Sequence, residues 1–467
     1  MTSILWFRRD LRTLDNPALS AAAKAGNVVP VFVLDPKLWD TSGPPRQLWL
    51  ARSLQHLSDS LAGNLNVVAG IPSTVIPQLA ELAKASSVHI SRDYGTYGQR
   101  RDQQVGQSLS EAGRRLVTTG SSYAVDPGSV TTGAGSRYRV FTPFYRSWVA
   151  HGWERPDPGA DAPVDWQPVS KIETVDLAVL AASVDCDIEI GPVGQQAALT
   201  RWEWFAATEL VDYAQDRNRP DLDGTSKLSA HLRWGEIHPR TLLAALAQLP
   251  ADQAGSGAEV YRKELAWREF YAEVWAANPR STSESLDPRF DVDLEVDSGP
   301  LADERFAAWT AGRTGFPIVD AGMRQLRATG WMHNRVRMIT ASFLIKDLHL
   351  PWQRGAQWFM RWLKDGDAAS NQHGWQWVAG CGTDAAPFYR IFNPVRQGLN
   401  FDPDGDYVRQ WIPELADLPG PSAHEPWLLA GTLNCPPDFT YPDRIVDHQT
   451  ERDQALARHA ALPPRGL

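Results

Sequence analysis

With 467 residues, 43% of them hydrophobic and 22% charged, the chain has the length for two or three domains and the balance of a soluble globular protein. Its formal net charge of −9 excludes a protein that coats nucleic acid through global charge, but leaves room for a local basic groove, and arginines cluster in the second half. Three scattered cysteines (Cys186, Cys381, Cys435) exclude a disulfide framework, a zinc site and an iron–sulfur set, so no metal centre is expected.

The first elements alternate strictly. SILWF at residues 3–7 reads as a buried strand. Asn16-Pro17 and Gly26 then bracket ALSAAAKA with a cap, a proline in the first turn and a stop, which predicts a helix. Strands follow at Val28–Leu34, Val67–Val68, Val88–Ser91 and Leu116–Thr118. Helices fall between them at Pro45–Leu61, Val75–Ala85 and Gln99–Gly113. Such alternation implies a doubly wound parallel sheet of Rossmann type. The loop after the first strand, RRDLRTLDN, lacks the G-x-G-x-x-G fingerprint, so a nicotinamide cofactor in the usual place is not expected. Residues 126–200 are punctuated by Gly, Pro, Asp and Ser and read as a surface connector with one short aromatic helix near Phe144–Val149. From residue 201 to 467 the helical period dominates. The division is therefore an α/β domain at 1–125, a connector at 126–200 and an all-helical domain at 201–467. No run is apolar enough to cross a bilayer and no signal peptide opens the chain, which fits a protein of the cytoplasm.

Tryptophan is the unusual component: 20 residues, more than either tyrosine or phenylalanine. Large rings suit the stacking of flat ligands and the movement of electrons, although plain core packing is the simpler use. Three stretches go further. In Gly224-Thr225-Ser226-Lys227-Leu228-Ser229 a glycine turn leads hydroxyls into a helix, an arrangement able to hold a phosphate; a simple helix N-cap is the plainer reading. In Tyr261–Tyr271, Glu264, Trp267, Arg268 and Tyr271 share one helical face, while Leu265 and Phe270 point elsewhere. The alternative for this stretch is a solvated face with a Glu264–Arg268 pair. If Trp331–Asp347 is one helix, Asn334, Arg337, Met338 and Ala341 share a face of mixed polarity. Asp365-Gly366-Asp367 then reads as a turn presenting two carboxylates, followed by Asn371, Trp375 and Trp377. Further on, Phe388-Tyr389-Arg390-Ile391-Phe392-Asn393 interleaves cation and aromatics, as a site for a nucleic-acid backbone does. Two mixed walls, a phosphate turn and a carboxylate turn describe a site for a large, flat, phosphate-bearing cofactor such as flavin adenine dinucleotide.

The stretches TGFPIVDAGMRQLRATGWMHNRVRMITASFL, DGDAASNQHGWQW and GTDAAPFYRIFNP closely resemble the photolyase/cryptochrome family, and within it the bacterial class I cyclobutane pyrimidine dimer photolyases. The resemblance runs from LWFRRDLR to FDPDGDYVRQWIPEL. It implies an N-terminal antenna domain and a C-terminal helical domain holding FAD, active as FADH⁻. It assigns Tyr213, Thr225, Ser226, Leu228 and Ser229 to the phosphate region of FAD, and Arg268, Asn334, Arg337, Asp365, Asp367 and Asn371 to the remainder. Glu264, Trp267, Asn334, Met338 and Trp377 are the implied catalytic set. Glu264, Trp267, Met338 and Trp377, with Arg217, Arg335 and Arg390, are the implied contacts of a flipped dimer and its DNA strand. The implied reaction is light-driven and redox-neutral: an electron passes to the dimer, the cyclobutane ring opens and the electron returns. The implied partner is UV-damaged DNA, met by a monomer in the cytosol, nucleoid-associated when bound to lesions. The alternative is a cryptochrome-like light sensor without repair, against which stand the complete set Glu264, Trp267, Met338 and Trp377 and the lack of a long extension after WIPEL.

Besides Tyr261, which stands where many relatives carry a tryptophan, two features depart from the family. Trp375 and Trp352 match the two inner members of its tryptophan electron path, but the segment EVDSGPLADE, where the outer one is expected, has no aromatic residue. The segment RDYGTYGQRRD lacks the glutamate that folate-binding relatives carry, which points to a deazaflavin rather than methenyltetrahydrofolate as a second chromophore. Arg46 and Asp93 are the candidate contacts, and an empty site is the alternative.

Overall fold

The computed structural model describes all residues except 161–162, 170–171, 385–387, 430–431, 433–439 and 465–467, and only the backbone of 251–254. Cys435 lies outside the described residues. The chain packs as two compact units, Met1–Val211 with Ser226–Pro279 and Asp212–Thr225 with Arg280–Leu467. This packing division differs from the division by sequence character, because the connector and, apart from Asp212–Thr225, the residues up to Pro279 pack with the sheet.

The first unit is built on five parallel strands: β1 (Thr2–Phe7), β2 (Asn27–Leu34), β3 (Asn66–Ala69), β4 (Ser87–Arg92) and β5 (Arg115–Ser121), in the order β3-β2-β1-β4-β5. Chain order runs outward in both directions from β1, so the switch point lies between β1 and β4, as in a doubly wound sheet. Strand β2 (NVVPVFVL) is buried along all but its first residue, which explains its unbroken apolar run: both faces of a parallel sheet are covered. The first helix, Pro17–Lys24, follows its sequence signals, with the Asn16 side chain accepting from the Leu19 N–H at 3.1 Å.

The connector is more ordered than its composition suggests. It contains helices at Phe141–His151, longer than the stretch read from sequence, and at Leu177–Ala182, which the sequence reading missed. Another helix, Gln195–Thr208, begins before residue 201. The connector also lies along the sheet. Val28 exchanges backbone hydrogen bonds with Asp165 and Gln167, Val175 donates to Val67 of the edge strand β3, and Val169 donates to the Asn66 side chain.

The second unit is helical around one core that includes Trp309, Phe316, Phe343, Phe359, Trp352, Trp375 and Tyr407, all buried. Its central helices are Pro317–Thr329, Asn334–Lys346, Trp352–Trp362 and Ala368–Ala379. One boundary needs correction: Trp331 is not helical. Gly330 closes the preceding helix in the left-handed conformation (φ 64°), and the next begins at Asn334 with the His333 ring as its cap, accepting from the Arg335 N–H at 3.2 Å. The four residues read as one face, Asn334 to Ala341, all lie within the observed helix.

Candidate functional site

Each unit carries its own set of the expected residues. In the first, the long helix Ala251–Ala277, kinked at Gly255, separates its faces as the spacing predicts. Tyr261, Leu265, Ala266 and Phe270 are buried, whereas Glu264, Trp267, Arg268 and Tyr271 are half-buried. Trp267 is not free to swing. It stacks on Phe141 with ring centroids 3.8 Å apart and planes 7° from parallel, so one face of its indole is covered. Phe141 is a supporting residue that the sequence reading missed, because nothing local links positions 126 residues apart. Arg268 clamps backbone, donating to the Ser122 and Leu232 carbonyls at 2.9 and 3.3 Å, and lies over the Tyr123 ring.

The hydroxyl turn does not behave as a simple N-cap. The short helix Ser229–Trp234 has Leu228 at its cap position, with no side-chain capping bond. Ser226 is buried, accepts from the Tyr261 hydroxyl at 3.0 Å, and has its own carbonyl held by Arg201 at 3.0 Å. Between Ser226 and the buried Leu228, exposed Lys227 takes a left-handed backbone (φ 52°), a strained conformation for a residue with a Cβ. Ser229 is exposed.

In the second unit Tyr213 is buried under Arg217, and Thr225 is half-buried. On the Asn334–Lys346 helix, Asn334 is exposed and Arg337 and Met338 half-buried, opposite the buried Val336, Ile339 and Phe343. Arg337 donates to the Met332 carbonyl and to Asp365 Oδ2, each at 2.8 Å. The other oxygen of Asp365, Oδ1, is buried with no hydrogen-bond partner. A buried carboxylate oxygen in that state is an acceptor waiting for a donor. The two carboxylates read as one turn have separate tasks: Asp367 caps the helix Ala368–Ala379 by accepting from the Ser370 N–H at 3.1 Å. Asn371 donates to the Ala356 carbonyl at 3.0 Å and to Gln372 at 2.7 Å.

Three arginines expected at a DNA strand share one neighbourhood. Arg335 stacks over Phe401 and is oriented by Asn218, which accepts from it at 2.8 and 3.2 Å. Burial lowers its guanidinium pKa, and the like charges of Arg217 and Arg390 push in the same direction. Exposed Arg390 also reaches the rings of Trp377 and Phe388, and the Trp377 indole N–H donates to the Asp384 carbonyl at 3.1 Å. Cations that repel one another beside aromatic rings are stabilised by an anion between them, and phosphate supplies one.

Trp375 is buried, its indole N–H without a partner, with Phe359 and Trp309 against its ring. Trp352 is buried too and donates to Ser285 at 2.9 Å.

Comparison with known proteins decides the family. A model described as the FAD binding domain of DNA photolyase matches residues 261–461, and one described as DNA photolyase matches residues 3–163. The chain belongs to the photolyase/cryptochrome family. The deoxyribodipyrimidine photo-lyase of Vibrio cholerae is 38% identical over 97% of this chain and 98% of its own length. Among solved structures, a bacterial class III photolyase from Agrobacterium tumefaciens matches with TM-score 0.88 and 36% identity over 99% of this chain and 97% of that one. A Synechocystis cryptochrome matches with TM-score 0.89 and 29% identity over 98% and 99%. Photolyase and cryptochrome backbones are thus equally close, and the fold does not separate repair from sensing. FAD binding agrees with the site: the unpaired Asp365 oxygen suits an N–H edge of a flavin.

The two residues expected at a second chromophore both lie in the first unit. Arg46 is buried in the helix Pro44–Ser60. Asp93 accepts from the Gly95 N–H and from Arg101. Burial acts to raise its pKa, but Arg101, Arg8 and Arg9 outweigh it and hold the carboxyl below its ordinary value. A small cavity beside Asp93, at the ends of β1, β4 and β5, is lined by Arg8, Arg9, Asp10, Ser91 and Tyr94.

Proposed function

We propose that this chain is a light-dependent repair enzyme that splits cyclobutane pyrimidine dimers in DNA. The observation that carries the reading is the Arg217, Arg335 and Arg390 group with Trp377 beside it. A light sensor has no need of mutually repelling cations, whereas a protein gripping the phosphates of a flipped lesion does.

Tyr213, Thr225, Ser226, Leu228 and Ser229 hold the phosphate region of FAD, and Arg268, Asn334, Arg337, Asp365, Asp367 and Asn371 the remainder. When bound in its reduced form, the cofactor supplies the photoexcited electron that opens the dimer. The protein's own part is positioning. Trp267, backed by Phe141, offers its open face to the extruded bases, and Trp377 and Met338 add apolar contact. These contacts offset the few kcal/mol of unstacking. Glu264 offers its carboxyl group to the dimer carbonyl that gains charge. Asp365 fixes Arg337, and Asn218 fixes Arg335. A second, light-harvesting chromophore, a deazaflavin rather than methenyltetrahydrofolate, would be contacted by Arg46 and Asp93. The protein acts as a monomer in the cytosol.

The test is repair of an oligonucleotide holding one thymine dimer by reduced protein, in blue light and in darkness. Restored thymine absorbance only in the light is the expected result; light-independent lesion binding without repair would instead support the sensor reading.

A further inference from the structure

Lys346, the last residue of the helix Asn334–Lys346, is a lysine in the core of the second unit, 2% exposed. Its ammonium donates to the Arg390 carbonyl and lies over the Tyr389 ring, 4.4 Å from the centroid. The adjacent carboxylate, Asp347, is held by the His448 ring. Burial lowers the Lys346 pKa to about 7, and the like charge of Arg390 pushes the same way against Asp347 and Cys381. A lysine so placed adds little to stability, because an uncharged chain of similar length would fill the space without the desolvation cost. Its use lies in what it holds.

It holds the stretch that carries Arg390. One turn earlier on the same helical face, buried Ser342 accepts the Phe392 N–H at 3.3 Å, so the backbone is pinned on both sides of Ile391. Tyr389 is fixed as well, stacked on His459 with centroids 4.1 Å apart and planes 10° from parallel. Asn393 then caps the helix Pro394–Phe401 by accepting the Arg396 N–H at 3.0 Å, and that helix ends beneath Arg335, whose guanidinium is 4.4 Å from the Phe401 ring centroid. Arg335 and Arg390 are thus both referred to one rigid element. Arg335 belongs to the helix, and Arg390 is tied to it by Lys346, about 16 Å further along at 1.5 Å per residue. The exposed Arg390 guanidinium lies close enough to Arg335 and to Lys346 to depress the pKa of each. Held at its carbonyl and repelled by a cation beneath it, Arg390 is kept from folding back onto the core.

We propose that Lys346 is a positioning residue for the DNA strand: it holds the backbone of Arg390 so that this arginine joins Arg335 and Arg217 in one phosphate grip. Lys346 touches no DNA itself. The proposal rests on the repair reading only in taking lesion DNA as the strand that is held.

Filter binding of a duplex holding one thymine dimer, in the dark and over a range of salt, tests it on four FAD-loaded proteins: wild type, Lys346→Met, Arg390→Ala and the double variant. Lys346→Met should weaken binding about tenfold and bring the log–log salt slope about one unit closer to zero, as Arg390→Ala does, because one phosphate contact is lost. In the Arg390→Ala background the same substitution should weaken binding by less than about twofold. A lysine that merely supports the core would cost the same factor in both backgrounds and leave the slope alone. That result overturns the proposal, as does Lys346→Met binding like wild type. In light-driven repair the loss should fall on KM and not on kcat. The melting temperature of Lys346→Met should equal or exceed that of wild type. If that variant proves misfolded, Ser342→Ala, which removes the pin at Phe392, replaces it, with a loss of about threefold that again vanishes beside Arg390→Ala. Failure of the repair reading looks different. Coupled lesion binding without light-driven repair sinks only the repair function, and a wild type that binds no lesion duplex overturns both.

Discussion

Asp365 shows how much one buried oxygen can decide. Its side chain is 2% exposed, with one oxygen on Arg337 and the other unpaired. Asp365→Ala should weaken FAD retention about tenfold or more, since a charged hydrogen bond is worth about 1.5–3 kcal/mol; equilibrium dialysis against FAD measures it, and unchanged retention would remove Asp365 from the cofactor set. His373 makes a pH prediction. Burial lowers its pKa to about 4, and its ring lies between the Ala369 carbonyl and Ser281. A folded-state value below the unfolded one means that stability is fully present above about 6.5 and is lost as pH falls towards 4, at up to about 1.4 kcal/mol per pH unit for one proton. His238, lowered to about 3 chiefly by burial, acts in the same direction. Between pH 7.5 and 5 the urea midpoint of His373→Gln should therefore rise relative to that of the wild type, because the variant lacks this histidine's acid-side loss. Helical spacing alone placed Asn334, Arg337 and Met338 on one open face. It gave no sign of Asn218 or Phe141, because their roles depend on contacts more than a hundred residues away in sequence.

Among the elements, the packing of the Trp352–Trp362 helix on the Ala368–Ala379 helix turns on Gly355. A Cβ there would stand 2.1 Å from Trp375 Cη2 and 2.5 Å from Leu344 Cδ2. Gly355→Ala should thus destabilise the second unit by about 1–3 kcal/mol through overpacking, and shift the Trp375 fluorescence. A melting temperature equal to wild type would show that the helices slide apart without strain. Strands and sheet-flanking helices were legible from sequence, because Val-rich runs and Asn-Pro or Gly punctuation state their own periods. The start of the Asn334–Lys346 helix was not, since a histidine ring acts as its cap and Trp331 continues the apolar pattern past Gly330. Nor was the separation of Asp365 from Asp367, which needed the capped helix to be seen.

For the whole molecule, a net charge of −9 and a cluster of three arginines make a joint prediction about DNA. Affinity for lesion duplex should fall with salt along a log–log slope near about −3, about −0.9 for each phosphate neutralised. Arg335→Ala should bring the slope about one unit closer to zero in a filter-binding titration. A slope steeper than about −6 would place the DNA on a broader basic surface than these residues provide. The alternating pattern announced a doubly wound sheet. It did not disclose that the Gly- and Pro-rich connector joins that sheet through Val28, Asn66 and Val67. Strand β3 is an edge of the sheet, and an uncovered edge invites a second chain to add a strand. The connector occupies that place. A stretch whose composition suggests a loose tether thus guards the protein against edge-to-edge aggregation, and shortening it should lower solubility before it touches repair.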